Sequence, residues 1–351
     1  MIKVMLVGLG AMGSGMAQMI LDKKGIKIVS VIDKNPNKLN KDLGKILGLN
    51  KNLNIKVTGD LDIALRQNHV DIVILSVDSF IKNIFTTLKK IINSKKNCIT
   101  IAEEMAYGEA SEKKLSKALD YLCKKNNVTV LGTGVNPGFV LDTLVAVLTA
   151  PCIKVDRVVA KRVNDLSPFG PTVMKTQGVG TTVEEFERGI LNKNIVGHIG
   201  FRQSISLVAK ALGIKIDEII ESKEPIVSNV YRETEYVEVK PGMVAGCNHI
   251  AYGMSNGEKL IVMEHPQQIK PNIENVETGD YIEIYGTPNI KMSITPEIPG
   301  GIGTMAMAIN MIPHVIASKA GLKTMLDLPL PHGIENSFDD QLKNLRGFKR
   351  W

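Results

Sequence analysis

Two groups of residues have types and spacings that could do chemistry, and the first is a glycine-rich turn. GLGAMG, residues 8–13, follows the apolar run IKVMLV, and Asp33 comes 20 positions after Gly13. A Gly-x-Gly-x-x-Gly turn between a strand and a helix, with an acidic residue about 20 positions later, binds the pyrophosphate and ribose of a nicotinamide dinucleotide. We therefore predict such a site, with the pyrophosphate against Gly8, Gly10, Ala11, Met12 and Gly13.

The residues after the second strand bear on the choice of dinucleotide. The Asp33 carboxylate can accept hydrogen bonds from ribose hydroxyls and would repel a 2′-phosphate, which favours NAD. Lys34 follows directly and could turn toward such a phosphate, although a solvated surface lysine is an equal alternative. The prediction is NAD, with some tolerance of NADP.

The second group is a pair of acidic residues. Glu103 and Glu104 follow the predicted strand Cys98–Ala102. A partly buried glutamate has a raised pKa and can act as a general base near neutral pH. Adjacent strand residues point to opposite faces, so we expect only one of the two to enter the site, and the other to be solvated or to cap a helix.

Strands and helices alternate through the first 131 residues, which predicts a doubly wound parallel sheet. The predicted strands are 2–7, 26–32, 70–75, 98–102 and 128–131, and the predicted helices are 14–23, 80–92 and 111–125, with another beginning near Asn35-Pro36. Ser76, Val77 and Asp78 then lie beside the nicotinamide ribose. Asp78 could equally cap the helix at Phe80.

The pattern changes after Asn136-Pro137-Gly138. Residues 156–163, 225–239, 259–264 and 280–285 alternate apolar and polar side chains, as half-buried antiparallel strands do, and 182–191 and 200–212 look helical. The fold class is therefore α/β, a Rossmann doubly wound sheet with a second α+β domain on a mostly antiparallel sheet. We expect a dinucleotide-binding domain over 1–135, a substrate-binding and dimerisation domain over 136–298, and a C-terminal part over 299–351. In that last part, a helix over 304–320 returns to the first domain and a loosely ordered tail covers 346–351.

Bulk composition narrows the class of protein. The formal net charge of +7 comes from scattered lysine pairs, which favours an anionic cofactor and substrate over nucleic acid. No apolar run near the N-terminus suits a membrane span or a signal peptide. The four cysteines form no CxxC pair and no His/Cys cluster, so we predict free, mostly buried thiols, a reducing cytoplasm and no metal.

Several segments resemble one family. GLGAMG, VIDKNP, ILSVDSF, IAEEMAYG, GTGVNPGF and AMAINMIPHVIASKAGLKTMLDLPLP together resemble the dihydrodipicolinate-reductase-like superfamily, and within it the 2,4-diaminopentanoate dehydrogenases and native amine dehydrogenases. The resemblance spans residues 1 to about 333, and the GVNPGF and AINMIP…LDLP segments are its most specific parts.

The resemblance implies oxidative deamination at C4 of 2,4-diaminopentanoate in ornithine fermentation. A strand-end glutamate activates water in the related enzymes, and it corresponds here to Glu103 or Glu104. Glu104 is preferred because it lies one step further toward the crevice. The resemblance also implies a dimer.

Other residues are candidates for holding cofactor and substrate. We expect the 132–138 loop to lie against nicotinamide and substrate through Gly134, Asn136 and Pro137, unless it is only a hinge. Asn310 could bond the nicotinamide carboxamide or only pack its helix. Arg162 is the preferred binder of the substrate carboxylate, with Thr176 in the polar loop that follows it; the other candidates are Lys161, Lys175 and Arg202. The histidines are expected to be local hydrogen-bonding residues.

Two alternatives to the amine dehydrogenase stay open. One is a reductase of the dihydrodipicolinate reductase type, although its histidine-and-lysine signature is not found here. The other is a non-catalytic NAD(H) sensor, which would bind the dinucleotide tightly without turnover.

Overall fold

The computed structural model describes residues 1–67 and 69–347, and these form two compact units. The first unit contains residues 1–139 together with the segment that begins at Gly300, and the second contains 140–299. The boundaries predicted after residues 135 and 298 lie four and one residues from these limits. Each unit is described by itself below.

The described strands, numbered along the chain, are β1 (Ile2–Val7), β2 (Ile26–Ile32), β3 (Val57–Thr58), β4 (Ile72–Leu75), β5 (Asn97–Thr100), β6 (Thr129–Gly132), β7 (Lys154–Asp165), β8 (Glu218–Val227), β9 (Arg232–Glu233), β10 (Glu238–Val239), β11 (Val244–Ser255), β12 (Glu258–Gln268), β13 (Gly279–Thr287), β14 (Ile290–Ile294) and β15 (Gly321–Lys323). The α-helices are α1 (Ala11–Leu21), α2 (Leu43–Ile46), α3 (Leu61–Gln67), α4 (Ile81–Asn93), α5 (Lys113–Asn126), α6 (Thr143–Leu148), α7 (Pro171–Thr176), α8 (Val183–Leu191), α9 (Phe201–Leu212), α10 (Gly300–Asn310), α11 (Ile312–Ala317) and α12 (Phe338–Gly347). Short 3₁₀ segments cover Glu103–Ala110, Pro271–Glu274 and Met325–Asp327.

The first unit is built on a parallel sheet whose strand order is β3-β2-β1-β4-β5-β6-β15. The first six strands have the order of a Rossmann fold, and β15 adds a parallel strand beyond β6. Both faces of the sheet are buried: Val4 and Leu6 pack into one apolar core, and Met5 and Val7 into the other. The predicted doubly wound fold is confirmed.

Several predicted elements of this unit differ in the structure. Helix α1 begins at Ala11, directly after Gly10, three residues earlier than predicted. The helix predicted to begin near Asn35-Pro36 is instead a turn over residues 36–40, and the short helix α2 begins only at Leu43. The short strand β3 and helix α3 were missed. Strand β5 ends at Thr100, so the two acidic residues start a 3₁₀ helix instead of ending a strand.

The C-terminal segment is also more broken than predicted. The single helix expected over 304–320 is two helices, α10 and α11, because Pro313 lacks the N–H that would bond to the carbonyl of Ile309. The segment Gly300–Ala317 has the length and hydropathy of a membrane-crossing helix, and half of it is buried in the first unit. Arg346 and Gly347 end α12 and are not a loose tail, and residues 348–351 lie outside the described residues.

The second unit is built on a sheet with the order β14-β13-β7-β12-β11-β8. Its pairs are antiparallel except β7 with β12, which confirms the mostly antiparallel sheet. Helix α9 packs on strands β11 and β12 through its buried residues Phe201, Ile205 and Val208. The predicted strand 225–239 is wrong as one element, because the chain leaves β8 after Val227 and forms the small β9–β10 pair.

The glycine turn packs closely against the backbone of the loop after β4, and this leaves no room for a side chain at Gly8. Gly8 has φ +95°, and a Cβ added there would lie 2.4 Å from the carbonyl oxygen of Ser76. A Cβ on Gly10 would have nothing within 4 Å. Gly8 is therefore required by the fold itself, whereas the space beside Gly10 is open.

We predict that Gly8→Ala and Gly10→Ala have different consequences. Gly8→Ala should lower the free energy of unfolding by about 2–4 kcal/mol, because it combines a left-handed backbone with a clash. Gly10→Ala should cost below about 1 kcal/mol, from the N-cap preference for glycine, yet weaken dinucleotide binding. Calorimetry and dinucleotide titration of both variants measure these effects, and equal stability of the two variants would contradict the prediction.

Candidate active site

The carboxyl edge of the parallel sheet contains a cavity of about 490 Å³. Gly10 is the N-cap of α1 and provides no side-chain hydrogen bond to the helix, so the first-turn N–H groups of Ala11, Met12 and Gly13 are available to a ligand. The cavity is lined by the following residues: Val7, Gly8, Leu9, Gly10, Ile32, Asp33, Lys34, Gly59, Leu61, Ser76, Val77, Asp78, Asn83 and Thr87. An open glycine beside a bare helix N-terminus fits a dinucleotide pyrophosphate.

Asp33 ties this edge together. One carboxylate oxygen accepts the backbone N–H of Leu9 and the other accepts that of Asn35, both at 2.7 Å. Partial burial alone would raise the pKa of Asp33, but these two hydrogen bonds and the ammonium of Lys38 outweigh it and lower the pKa. Asp33 is therefore an anion in the place predicted for the ribose, and Lys34, which lines the same cavity, is exposed.

The polar side chains of the loop after β4 also form hydrogen bonds. The Ser76 hydroxyl donates to the carbonyl oxygen of Gly8 at 3.1 Å. One Asp78 oxygen accepts the backbone N–H of Phe80 at 2.8 Å, and both accept the side-chain amide of Asn83. Asp78 therefore closes the turn before α4 but is not its N-cap, which is Phe80. Asp78 also lines the cavity, and its place beside the nicotinamide ribose stays a prediction. Val77 is half-exposed in the cavity wall.

Glu103 and Glu104 stand in different environments within the first turn of their 3₁₀ helix. Glu104 Oε2 accepts the backbone N–H of Ile81, the first residue of α4, at 2.8 Å. The N-cap residue of that helix, Phe80, provides no side-chain cap, so Glu104 supplies one. The argument that strand alternation separates the two glutamates is wrong, because neither lies in a strand; turn geometry separates them instead.

Glu103 is a partly buried carboxyl whose pKa is shifted. Burial raises the pKa of Glu103, and the nearby Asp78 carboxylate raises it further. A hydrogen bond with Ser79 and another with its own backbone N–H lower the pKa without cancelling the effect of burial. A carboxyl whose pKa is shifted upward in this way has the property required of a general base near neutral pH.

The 132–138 loop belongs to the first unit and is shaped by glycines. A Cβ on Gly138, which has φ +125°, would lie 2.5 Å from the backbone nitrogen of Gly134. The N–H of Val135 donates to the hydroxyl of Thr304 on α10 at 3.1 Å. The loop containing Gly134, Asn136 and Pro137 is thus fixed against the start of α10, and Thr304 is a residue that the sequence reading missed.

The structure does not support a cofactor role for Asn310. Helix α10 runs along α1, with Met305 against Gly15 near the start of α1. Asn310 instead lines a cavity with Met19 and Asp22, at the last turn of α1. The glycine turn is at the opposite end of that helix, so Asn310 is remote from the place predicted for the dinucleotide.

In the second unit, Arg162 is buried and ion-paired. Its Nη1 lies 2.5 Å from Asp280 Oδ1, and its Nη2 donates to the carbonyl of Ile298. Both side chains of the pair are at most 2% exposed. Arg162 is therefore a buried, ion-paired residue and not an arginine exposed at the surface. The other candidates differ from it, because Lys161 pairs with Glu264, and Lys175 and Arg202 are exposed.

Three histidines from distant parts of the chain meet beside this ion pair. The His198 ring lies 4.8 Å, centre to centre, from that of His265, and its backbone N–H donates to His249 Nδ1 at 2.9 Å. His249 Nε2 bonds to Glu221, and His265 Nε2 bonds to Asn164. The prediction of local hydrogen-bonding histidines is therefore confirmed for His249 and His265. It is wrong for His314, whose two ring nitrogens are buried without a hydrogen-bond partner among the described residues.

His198 departs from that prediction. Its Nε2 is buried without a hydrogen-bond partner among the described residues. Burial first, and then the charges of His249 and Arg162, lower the pKa of His198 to about 3, while burial takes the pKa of His265 well below its ordinary value. The ring is therefore neutral and desolvated, with the Arg162 guanidinium nearby.

Thr176 ends helix α7 and is hydrogen-bonded to nearby backbone groups. Its hydroxyl donates to the carbonyl of Val173, and its own carbonyl accepts the N–H groups of Val196 and Gly197. The neighbouring Gln177 is buried, donates to the carbonyl of Gly197 at 2.9 Å, and has an Oε1 with no partner among the described residues. Thr176 therefore positions the chain before His198, and Gln177, which the sequence reading missed, is the better ligand candidate.

These features define the class of protein. A six-strand Rossmann order with a glycine turn, an open helix N-terminus and an acidic residue at the end of β2 is the fold of NAD(P)-dependent dehydrogenases. Residues 2–100 match the model of the dihydrodipicolinate reductase N-terminus, and residues 139–344 match that of the 2,4-diaminopentanoate dehydrogenase C-terminal domain.

Relatives agree with these matches. The chain is 45% identical to the 2,4-diaminopentanoate dehydrogenase of Acetoanaerobium sticklandii, over 97% of this chain and 96% of that one. It therefore belongs to the 2,4-diaminopentanoate dehydrogenase family and is an oxidoreductase. The amine dehydrogenase of Mycobacterium smegmatis has a similar structure, with a TM-score of 0.83 and 28% identity over 95% of this chain and 98% of that one. GenD2 of gentamicin A biosynthesis, solved with NAD, shares the fold at 14% identity, with a TM-score of 0.51 over 84% of this chain and 72% of that one.

Because the buried histidines are neutral, we predict that the free energy of unfolding decreases in acid. The pKa of His198 is about 3 in the folded chain and ordinarily 6.5, so the unfolded chain binds the extra proton between those values. The free energy of unfolding should fall as the pH drops below about 6.5, by up to about 1.4 kcal/mol per pH unit for each such histidine. Urea unfolding between pH 7.5 and 5 should show a shallower dependence for His198→Asn than for the control His69→Asn, an exposed position. Equal slopes for the two variants would show that His198 is not the group responsible.

Proposed function

We propose that this protein catalyses oxidative deamination of 2,4-diaminopentanoate at C4, giving 2-amino-4-oxopentanoate and ammonia. The hydrogen on C4 leaves as a hydride, for which a bound NAD(P)+ would be the acceptor. Water then adds to the C4 iminium, and the C–N bond breaks. The observation that carries the proposal is the Glu103 carboxyl in the turn after β5, whose pKa is raised by burial, in a chain 45% identical to a 2,4-diaminopentanoate dehydrogenase.

Glu103 is the proposed base. The C4 ammonium must lose a proton before its carbon can release hydride, and a carboxylate in a desolvated place accepts that proton readily because the charge pair is neutralised. The carboxyl group then releases that proton to solvent, and the restored carboxylate takes a proton from the attacking water and returns it to the departing amine. The sequence favours Glu104 as the base, but in the structure Glu104 already accepts the N–H of Ile81 and caps α4. Its proposed task is to fix the turn in which Glu103 lies.

The buried polar cluster of the second unit is the proposed site for the substrate carboxylate. Arg162 provides a positive charge held in place by Asp280, and His198 provides a nitrogen that has no hydrogen-bond partner in residues 1–67 and 69–347. A carboxylate beside His198 would favour its protonated form and so form a charge-assisted hydrogen bond. Gln177 and Asn164 flank the same region as neutral hydrogen-bonding groups.

The cofactor, the oligomeric state and the cellular location are also part of the proposal. The first unit is proposed to bind NAD, with NADP accepted, and the second to bind substrate and form a homodimer. Strand β8 lies at an edge of the second sheet with Ile220 and Val227 exposed, and a second copy could cover them. The four free thiols, three of them buried, support a reducing cytoplasm, and ornithine degradation is the proposed pathway. Neither nucleic acid nor membrane is proposed as a partner.

The first test of the proposal is turnover. Incubation with 2,4-diaminopentanoate and NAD+ should produce reduced nicotinamide absorbance and free ammonia in equal amounts. 2-Aminopentanoate, which lacks the C4 amine, is the matched control and should give neither. Absence of turnover with both NAD+ and NADP+ would refute the proposal; reduction of dihydrodipicolinate would then favour a reductase, and tight binding alone a sensor.

The second test separates the two glutamates. Glu103→Gln removes the base and should lower kcat by about 10²–10⁴-fold with cofactor affinity unchanged. Glu104→Gln is the matched control, because the amide oxygen still accepts the N–H of Ile81, and it should retain turnover within a few-fold. The reverse pattern, with both variants folded, would assign the base to Glu104.

A further inference from the structure

Lys38 occupies an unexpected place beside the acidic residue that ends β2. Its ammonium lies 3.7 Å from Asp33 Oδ2 and donates a hydrogen bond to the carbonyl oxygen of Leu9, within the glycine turn. The side chain is 25% exposed, so the pair is only partly screened by water. A cation therefore stands beside Asp33 before any dinucleotide arrives.

The local chain geometry produces this arrangement. Asp33 accepts the N–H of Asn35, and the N–H of Lys38 donates to the carbonyl of Asn35, which closes a turn. Asn35 in turn accepts the N–H of Asn37 through its side chain. These bonds fold residues 35–38 back toward the strand end and return the Lys38 side chain to the glycine turn.

We propose that Lys38 is the residue that lets this site accept NADP(H) as well as NAD(H). This inference rests on the proposed dinucleotide site but not on the proposed substrate. An Asp at this position would ordinarily repel a 2′-phosphate. Here the Lys38 ammonium cancels the charge of Asp33, and its Nζ can turn from Asp33 to the phosphate. Each Asp33 oxygen holds one backbone N–H at 2.7 Å and keeps a lone pair for the ribose hydroxyls of NAD.

Lys34 is the residue that sequence reasoning selected for this role, and its setting is different. It is exposed and makes no ion pair among residues 1–67 and 69–347. A solvated lysine contributes charge that salt screens strongly, and it does not neutralise Asp33. Lys34 should therefore affect both dinucleotides modestly, through the general attraction of anions.

The experiment is equilibrium titration of the full-length protein with NAD+ and NADP+, without substrate, at low and high salt. Lys38→Met should raise the Kd for NADP+ at least tenfold more than the Kd for NAD+, because Asp33 is then uncompensated. The extra loss should shrink at high salt. Lys38→Arg should keep the wild-type ratio of the two Kd values, and Lys34→Met should change both values by a similar factor.

Three results would overturn the inference. Equal weakening of both dinucleotides by Lys38→Met, with wild-type binding in Lys38→Arg, would mean that Lys38 only holds the turn. A selective loss in Lys34→Met would assign the role to Lys34. Failure of the wild-type protein to bind NADP+, with NAD+ binding intact, would remove the property itself. Since no substrate is present, each result is independent of the amine-dehydrogenase assay, and the Tm of every variant reports folding.

Discussion

The close approach of Gly8 to the carbonyl of Ser76 is the constraint on which the dinucleotide edge depends. It brings the turn after β1 against the turn after β4, and no side chain fits at Gly8 in that position. The Ser76 hydroxyl then bonds to the carbonyl of Gly8, and Asp33 bonds to Leu9 one residue later. Helix α1 can therefore begin immediately after the turn, with its first N–H groups unused by side chains. The cavity beside the glycine turn and the start of α1 therefore both depend on this one backbone contact.

The cost of burying charge determines the protonation states of the buried ionisable groups in both units. The first unit buries Glu103 with little compensation, which raises its pKa. The second unit pairs Arg162 with Asp280, whereas it keeps His198 neutral. A charge removed from water is stable only with a partner, and otherwise the group changes its protonation state. Buried ionisable groups that are left without full compensation are a common property of functional sites.

The sequence was sufficient for features encoded locally and insufficient for those that join distant residues. The glycine turn and Asp33 could be predicted because they belong to one strand–helix–strand unit. The distance of Asn310 from the glycine turn could not be predicted, because the direction of α10 along α1 is set by packing, with Met305 against Gly15, and no local pattern records it. Arg162 and Asp280 are 118 positions apart, so their pairing was not visible, and neither was the meeting of the three histidines.

Burial acts in opposite directions on the two kinds of group proposed to handle the substrate. For Glu103, desolvation favours the neutral acid, so its anion gains most from a cationic neighbour such as the C4 ammonium. For His198, desolvation favours the neutral base, so its cation gains most from an anionic neighbour such as the α-carboxylate. In each case forming the charge costs free energy in the buried position, and only a ligand of opposite charge offsets that cost. On the proposed assignment each unit therefore discriminates by charge, the first in favour of a cation beside Glu103 and the second in favour of an anion beside His198.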